Sequence, residues 1–134
     1  MSESQVKVTN LDNGIRVVSD TMNCVESVSL GAWFGIGTRN ESADVNGVAH
    51  LLEHMAFKGT NGRSAAAIAE EVEHVGGHLN AYTSREQTAY YAKLLKDDMG
   101  LGVDILSDIL QNSIFAELEL DRERNVILQE IGQS

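Results

Sequence analysis

The pair Asn13-Gly14, set between the β-prone runs 6–10 and 15–19, commits the start of this chain to an antiparallel hairpin. A connection this short joins only strands that run in opposite directions. A third β-prone run, 25–36, follows, and then the apolar period changes to that of helices. The first helix covers the region around residues 48–58, with Asp44 or Asn46 as its cap and Lys58-Gly59 at its end. Ser64 caps a second, in which Ile68, Val72 and Val75 form the apolar stripe and Gly76-Gly77 end it. Runs 78–82 and 88–95 favour strand and are joined by the polar turn Ser84-Arg85-Glu86-Gln87. A third helix, capped by Asp97 or Asp98, presents Met99, Val103, Leu106 and Leu110 at helical spacing, and a last one starts near Glu117 and runs to the end. Strands first, then helices interleaved with a hairpin, give an α+β fold: an antiparallel or mixed sheet packed against helices. With 134 residues and 43% apolar content, one domain or part of one is the limit.

Within the third strand, Gly31, Gly35 and Gly37 look superficially like a phosphate loop, but no Gly-Lys-Ser/Thr follows and Trp33 and Phe34 interrupt them. Close backbone packing explains them better. The balance of 20 acidic against 10 basic residues, a net charge of −10, disfavours nucleic acid or an anionic membrane and suits a basic peptide. Cys24 is the only cysteine, which excludes an intrachain disulfide or a thiolate zinc cluster and is expected to be a small buried thiol. Residues 1–5 are polar, without the pattern of a secretory or transit segment, and no run approaches a membrane span. The expected compartment is a reducing interior: bacterial cytoplasm, or the mitochondrial matrix for an organellar protein already processed.

The chemistry is concentrated in His50-Leu51-Leu52-Glu53-His54, an H-x-x-E-H string. Residues four apart on a helix point the same way, so both imidazoles can grip one ion, with Glu53 beside them. A catalytic zinc keeps one position open for a water whose pKa it lowers, and Glu53 could accept that proton. Val48, Leu51, Leu52 and Met55 recur as a buried stripe on the opposite face, which implies a cleft on the polar side. Phe57 projects with the polar group and lines the cleft or packs in the core. Two histidines rarely suffice for zinc. The terminal helix offers Glu119, Glu123 and Glu130, and spacing does not select among them. Glu123 and Glu130 share a face, two turns apart. His74 and His78 have no partner at metal spacing, and Glu70, Glu71 and Glu73 read as a solvated face.

Several ordered segments carry a more specific signal. They are Leu11-Asp12-Asn13-Gly14, the turn at residues 37–41, His50 through Thr60 with Glu53-His54-Met55-Ala56-Phe57-Lys58-Gly59, Gly76-Gly77-His78-Leu79-Asn80-Ala81-Tyr82-Thr83, Val103-Asp104-Ile105-Leu106, and residues 123–131. In these the chain resembles the pitrilysin family of inverted zinc peptidases. The resemblance implies a zinc-dependent endopeptidase that hydrolyses peptides or presequences. His50, His54 and Glu130 would bind Zn2+, Glu53 would be the general base, and Glu123 would support catalysis from behind the ligands. Asn80 and Ala81 would hold substrate as an added β-strand, and Phe57 would line the pocket beyond the scissile bond. It further implies that residues 1–134 are an N-terminal catalytic domain, incomplete at its C-terminal end. A second domain or a homologous partner subunit, in a homo- or heterodimer, would complete it. The alternative is a catalytically silent core subunit or a peptide-binding module of the same fold.

Overall fold

The computed structural model describes residues 5–133. Residues 1–4, most of the stretch read for targeting, and Ser134 lie outside them. Strands β1 (Gln5–Asn10) and β2 (Arg16–Thr21) pair antiparallel in the register Asn10↔Arg16 to Gln5↔Thr21, around the turn that Asn13-Gly14 predicts. A bond from Leu11 N to Ile15 O closes that turn. Strands β3 (Ser27–Phe34), β4 (His78–Thr83) and β5 (Thr88–Leu95) form a second antiparallel sheet in the order β3-β5-β4. The fold is α+β, with the sheet entirely antiparallel.

Helices α1 (Val48–Met55), α2 (Ala65–His74), α3 (Met99–Asn112) and α4 (Glu117–Gln133) complete the chain. The core lies between the three-stranded sheet and the helices. Ile68 and Val72 of α2 and Ile105, Leu106 and Ile109 of α3 meet Ala81, Tyr90, Ala92 and Leu94 of the strands. Burial of a side chain such as Ile68 or Ile105 contributes roughly 1.5–3 kcal/mol. Ser64 caps α2 as expected, its Oγ accepting from Ala67 N at 3.1 Å. Gly37 marks a close approach: a Cβ there would meet Ser84 O at 2.4 Å. Thr38 N and Arg39 N donate to Ser84 O and Arg85 O beside it. This glycine therefore serves packing.

The structure departs from the sequence reading at several points. The N-cap of α1 is Gly47, in the left-handed region, rather than Asp44 or Asn46. The Glu41 carboxylate caps the helix instead, accepting from Gly47 N at 3.0 Å and Ala49 N at 2.7 Å. The stripe on α1 is only partly buried: Met55 is 2% exposed, but Val48 is 49% and Leu52 42% exposed. Both line an open apolar groove of about 400 Å³ with Phe34, Ile36, Leu110 and Phe115, because α1 packs against α4 and β4 through its other residues. In α3 the buried residues are Gly102, Ile105, Leu106 and Ile109, whereas Met99, Val103 and Leu110 are exposed. Cys24 is exposed rather than buried. Glu71 is engaged by Arg63, whose fork also reaches Asp104 and Asp108. Thr60 donates to the same Asp108 oxygen, so the loop between α1 and α2 is pinned onto α3.

Candidate metal and active site

Helix α1 carries His50 and His54 one turn apart, and α4 runs beside it. Glu123 and Glu130, two turns apart on α4, both face α1. His54 Nε2 and His50 Nε2 are 3.1 Å apart. Glu130 Oε2 lies 3.3 Å from His50 Nε2 and 3.6 Å from His54 Nε2. Zinc bonds of about 2.0–2.1 Å at tetrahedral angles put neighbouring donors about 3.3 Å apart. The three separations bracket that length, so two imidazole nitrogens and one carboxylate oxygen form the face of a tetrahedron that fits zinc in both size and donor chemistry. Among the described residues, these three are the group of histidines, cysteines and carboxylates placed to hold an ion.

Behind this face stands Glu123, 8% exposed. Its Oε2 is 3.0 Å from His54 Nδ1 and its Oε1 is 3.0 Å from Lys58 Nζ. Burial raises its pKa, but hydrogen bonds from Lys58 and His54 outweigh that, and the carboxyl is held below its ordinary value. An ionised carboxylate only accepts, so His54 Nδ1 must carry the proton. In a neutral ring held this way the other nitrogen, Nε2, is the one with a free lone pair, and it points at His50 and Glu130. Both oxygens of Glu123 are engaged, which leaves Glu130 as the carboxylate free to face the imidazoles. Glu119 is paired with Arg122 at 2.7 Å, away from the cluster.

Glu53 is half-buried on the same helix. Burial raises the pKa of the Tyr90 hydroxyl, and the negative charge of Glu53 adds to that shift. Phe57 follows the second reading, packing partly buried against the core, and it lines a separate cavity of about 340 Å³ with Ile68, Val72 and Leu79. None of His50, His54, Glu123 or Glu130 lines that cavity. Asn80 is exposed on β4, which is an edge of its sheet, whereas the Ala81 side chain is buried in the core. Ala81 can therefore offer a peptide only its backbone. Its N–H donates to Asn80 Oδ1 at 2.8 Å. His74 and His78 stay outside the cluster, as their spacing predicts. Two contributors escaped the sequence reading. Lys58 had a usable signal, four residues beyond His54, while nothing local distinguishes Glu41 from its neighbours.

The family model described as Insulinase (Peptidase family M16) matches residues 16–134. The chain belongs to this peptidase family. The insulinase-family chain is 50% identical over 133 residues to a probable mitochondrial-processing peptidase beta subunit of Arabidopsis thaliana, covering 99% of this chain and 25% of the relative. It is 50% identical over 129 residues to the mitochondrial-processing peptidase beta subunit of Rattus norvegicus, covering 96% of this chain and 26% of the relative. A solved protease from Helicobacter pylori superposes with a TM-score of 0.88 at 28% identity, over 96% of this chain and 31% of that one. The chain thus spans about a quarter of the length of these curated relatives.

Proposed function

We propose that this insulinase-family chain carries the metal-binding and proton-transfer residues of a zinc-dependent endopeptidase, residues 1–134 being part of its catalytic domain. The observation that carries the reading is the convergence of His50 Nε2, His54 Nε2 and Glu130 Oε2 at 3.1 to 3.6 Å, the edge length of a zinc tetrahedron. When bound there, zinc would supply Lewis acidity towards a peptide carbonyl and lower the pKa of a water molecule. Glu53, on the same helix as the imidazoles, takes the proton from water and returns it to the departing amine. Glu123 acts through His54, holding its ring and tautomer.

Substrate binds as an extra strand along β4, where Asn80 offers its amide and Ala81 its backbone groups. Phe57, with the cavity it lines, receives a substrate side chain. The net charge of −10 favours basic, unstructured segments. Presequence-like peptides are the substrate of this reading, and the names of the relatives, beta subunits of mitochondrial-processing peptidases, support a processing role, a partner subunit and a mitochondrial setting.

The test compares Glu53→Gln with the parent in the full-length protein. The substitution should keep zinc content and peptide affinity while cleavage of an unstructured basic peptide falls by roughly 10²-fold or more. Loss of zinc, or turnover equal to the parent, would mean that Glu53 is not the base.

A further inference from the structure

We propose that Lys58 is a positioning residue for this site: its ammonium fixes Glu123 so that one oxygen accepts the hydrogen bond of His54 Nδ1–H and Glu123 stays out of the ligand set. The inference rests on the metal-site reading above. Lys58 Nζ is 3.0 Å from Glu123 Oε1, and the other oxygen, Oε2, is 3.0 Å from His54 Nδ1. One carboxylate thus joins two residues that lie four apart in sequence.

A surface lysine that merely leans on a carboxylate would contribute little. Lys58 differs in two respects. Its partner is 11% exposed at the side chain, so an oxygen left without a donor would be a desolvated acceptor that water reaches poorly. Its own backbone is anchored on both sides. Lys58 N donates to Met55 O at the end of α1, and in the following residues Thr60 N donates to Arg63 O while Ile114 N donates to Gly59 O. Thr60 and Arg63 are in turn held by Asp108. The ammonium is therefore delivered by a fixed stretch of chain.

The charges explain why such a residue is needed. Glu123 and Glu130 project from the same face of α4 and bring two carboxylates to the imidazole pair. The ammonium pairs with Glu123, which leaves Glu130 for a divalent ion. Without the ammonium, Glu123 has a buried oxygen with no donor and is free to turn. It can then release His54 Nδ1 or swing towards the ion in competition with Glu130. With Lys58 present, each Glu123 oxygen has one partner, and His54 is kept as the tautomer with a bare Nε2.

The experiment reads the tautomer directly, by long-range proton–nitrogen correlation on the full-length, metal-free protein near pH 8, for the parent, Lys58→Met and Lys58→Arg. The parent should show His54 protonated at Nδ1. Lys58→Met should give a mixture with a substantial Nε2-protonated population, Lys58→Arg should restore the parent pattern, and His50 should be unchanged throughout. Zinc titrated alone should bind about 10- to 100-fold more weakly to Lys58→Met. Binding to Lys58→Arg should return to within about threefold of the parent. The inference is overturned if Lys58→Met leaves the His54 tautomer unchanged, whatever zinc does, because a merely structural lysine would behave that way. A parent that takes up no zinc would instead sink the metal-site reading, and the tautomer comparison would still decide the role of Lys58.

Discussion

Replacing Glu123 by glutamine removes one charge and no volume, yet the structure predicts a specific failure. The carboxylate accepts from His54 on one oxygen and from Lys58 on the other, both at 3.0 Å. An amide has a single oxygen to offer, and its NH2 must face the other partner. A hydrogen bond from an ammonium is worth about 1.5–3 kcal/mol and one between neutral groups about 0.5–1.5 kcal/mol. The oxygen therefore turns to Lys58, by a margin of about 1–2 kcal/mol. The NH2 then faces His54 Nδ1, which has to accept, and the ring proton moves to Nε2, the atom that faces His50 and Glu130. Zinc bound as proposed would require that arrangement to be reversed. The cost of about 1–2 kcal/mol corresponds to a loss of roughly 5- to 30-fold in affinity. The assay is competition for zinc against a chromophoric chelator, using the full-length protein. Adding Lys58→Met to Glu123→Gln frees the amide oxygen for His54, so the double variant should recover most of the lost affinity. Lys58→Met would thus weaken zinc binding in the parent and strengthen it in the glutamine variant. A double variant that binds zinc no more tightly than Glu123→Gln alone would refute the reasoning.

Two further expectations concern the scaffold. Glu41→Ala removes the acceptor for Gly47 N and Ala49 N and should destabilise the protein by about 1–2 kcal/mol in urea unfolding, whereas Asp44→Ala should have almost no effect. Asp108 is held below its ordinary value of 3.8 by the Thr60 hydroxyl, then by Asn112 and Arg63, against an opposing effect of burial. A depressed folded-state pKa contributes stability that is complete above the unfolded value and is lost as pH falls through the folded one. Unfolding midpoints measured downwards from pH 4 should therefore fall less steeply in Asp108→Asn than in the parent, and equal slopes would exclude this linkage.

The parts of the fold that were legible in the sequence are those whose signals are local. Ser64 and Gly76 bound α2 because a cap and a stop act within one turn, and Asn13-Gly14 predicted a hairpin that formed. The cap of α1 was not legible, because Glu41 reaches it from a separate turn that is ordered by tertiary contacts. For α3 the large apolar residues predicted a face rotated by about 80° from the buried one, at 100° per residue. Gly102 lets the helix approach the sheet, since a Cβ there would lie 2.4 Å from Leu94 Cδ1, and it turns Ile105 and Ile109 inward in place of Met99, Val103 and Leu110. The candidate site divides in the same way. His50, Glu53 and His54 were readable from helical periodicity. The proposed third donor, Glu130, was not, because spacing leaves Glu119, Glu123 and Glu130 equivalent until Arg122, Lys58 and His54 occupy the first two.

The bond between the Ala81 N–H and the Asn80 side chain bears on how the protein behaves at high concentration. An open sheet edge templates any extended chain, including another copy of the same edge. A donor already occupied by its neighbouring amide makes β4 a poorer template for stacking. Two copies meeting edge to edge would both have to displace an Asn80, whereas an unfolded peptide laid along β4 displaces only one. The occupied donor thereby works against fibrous self-association, and a variant such as Asn80→Ala would open the edge to it.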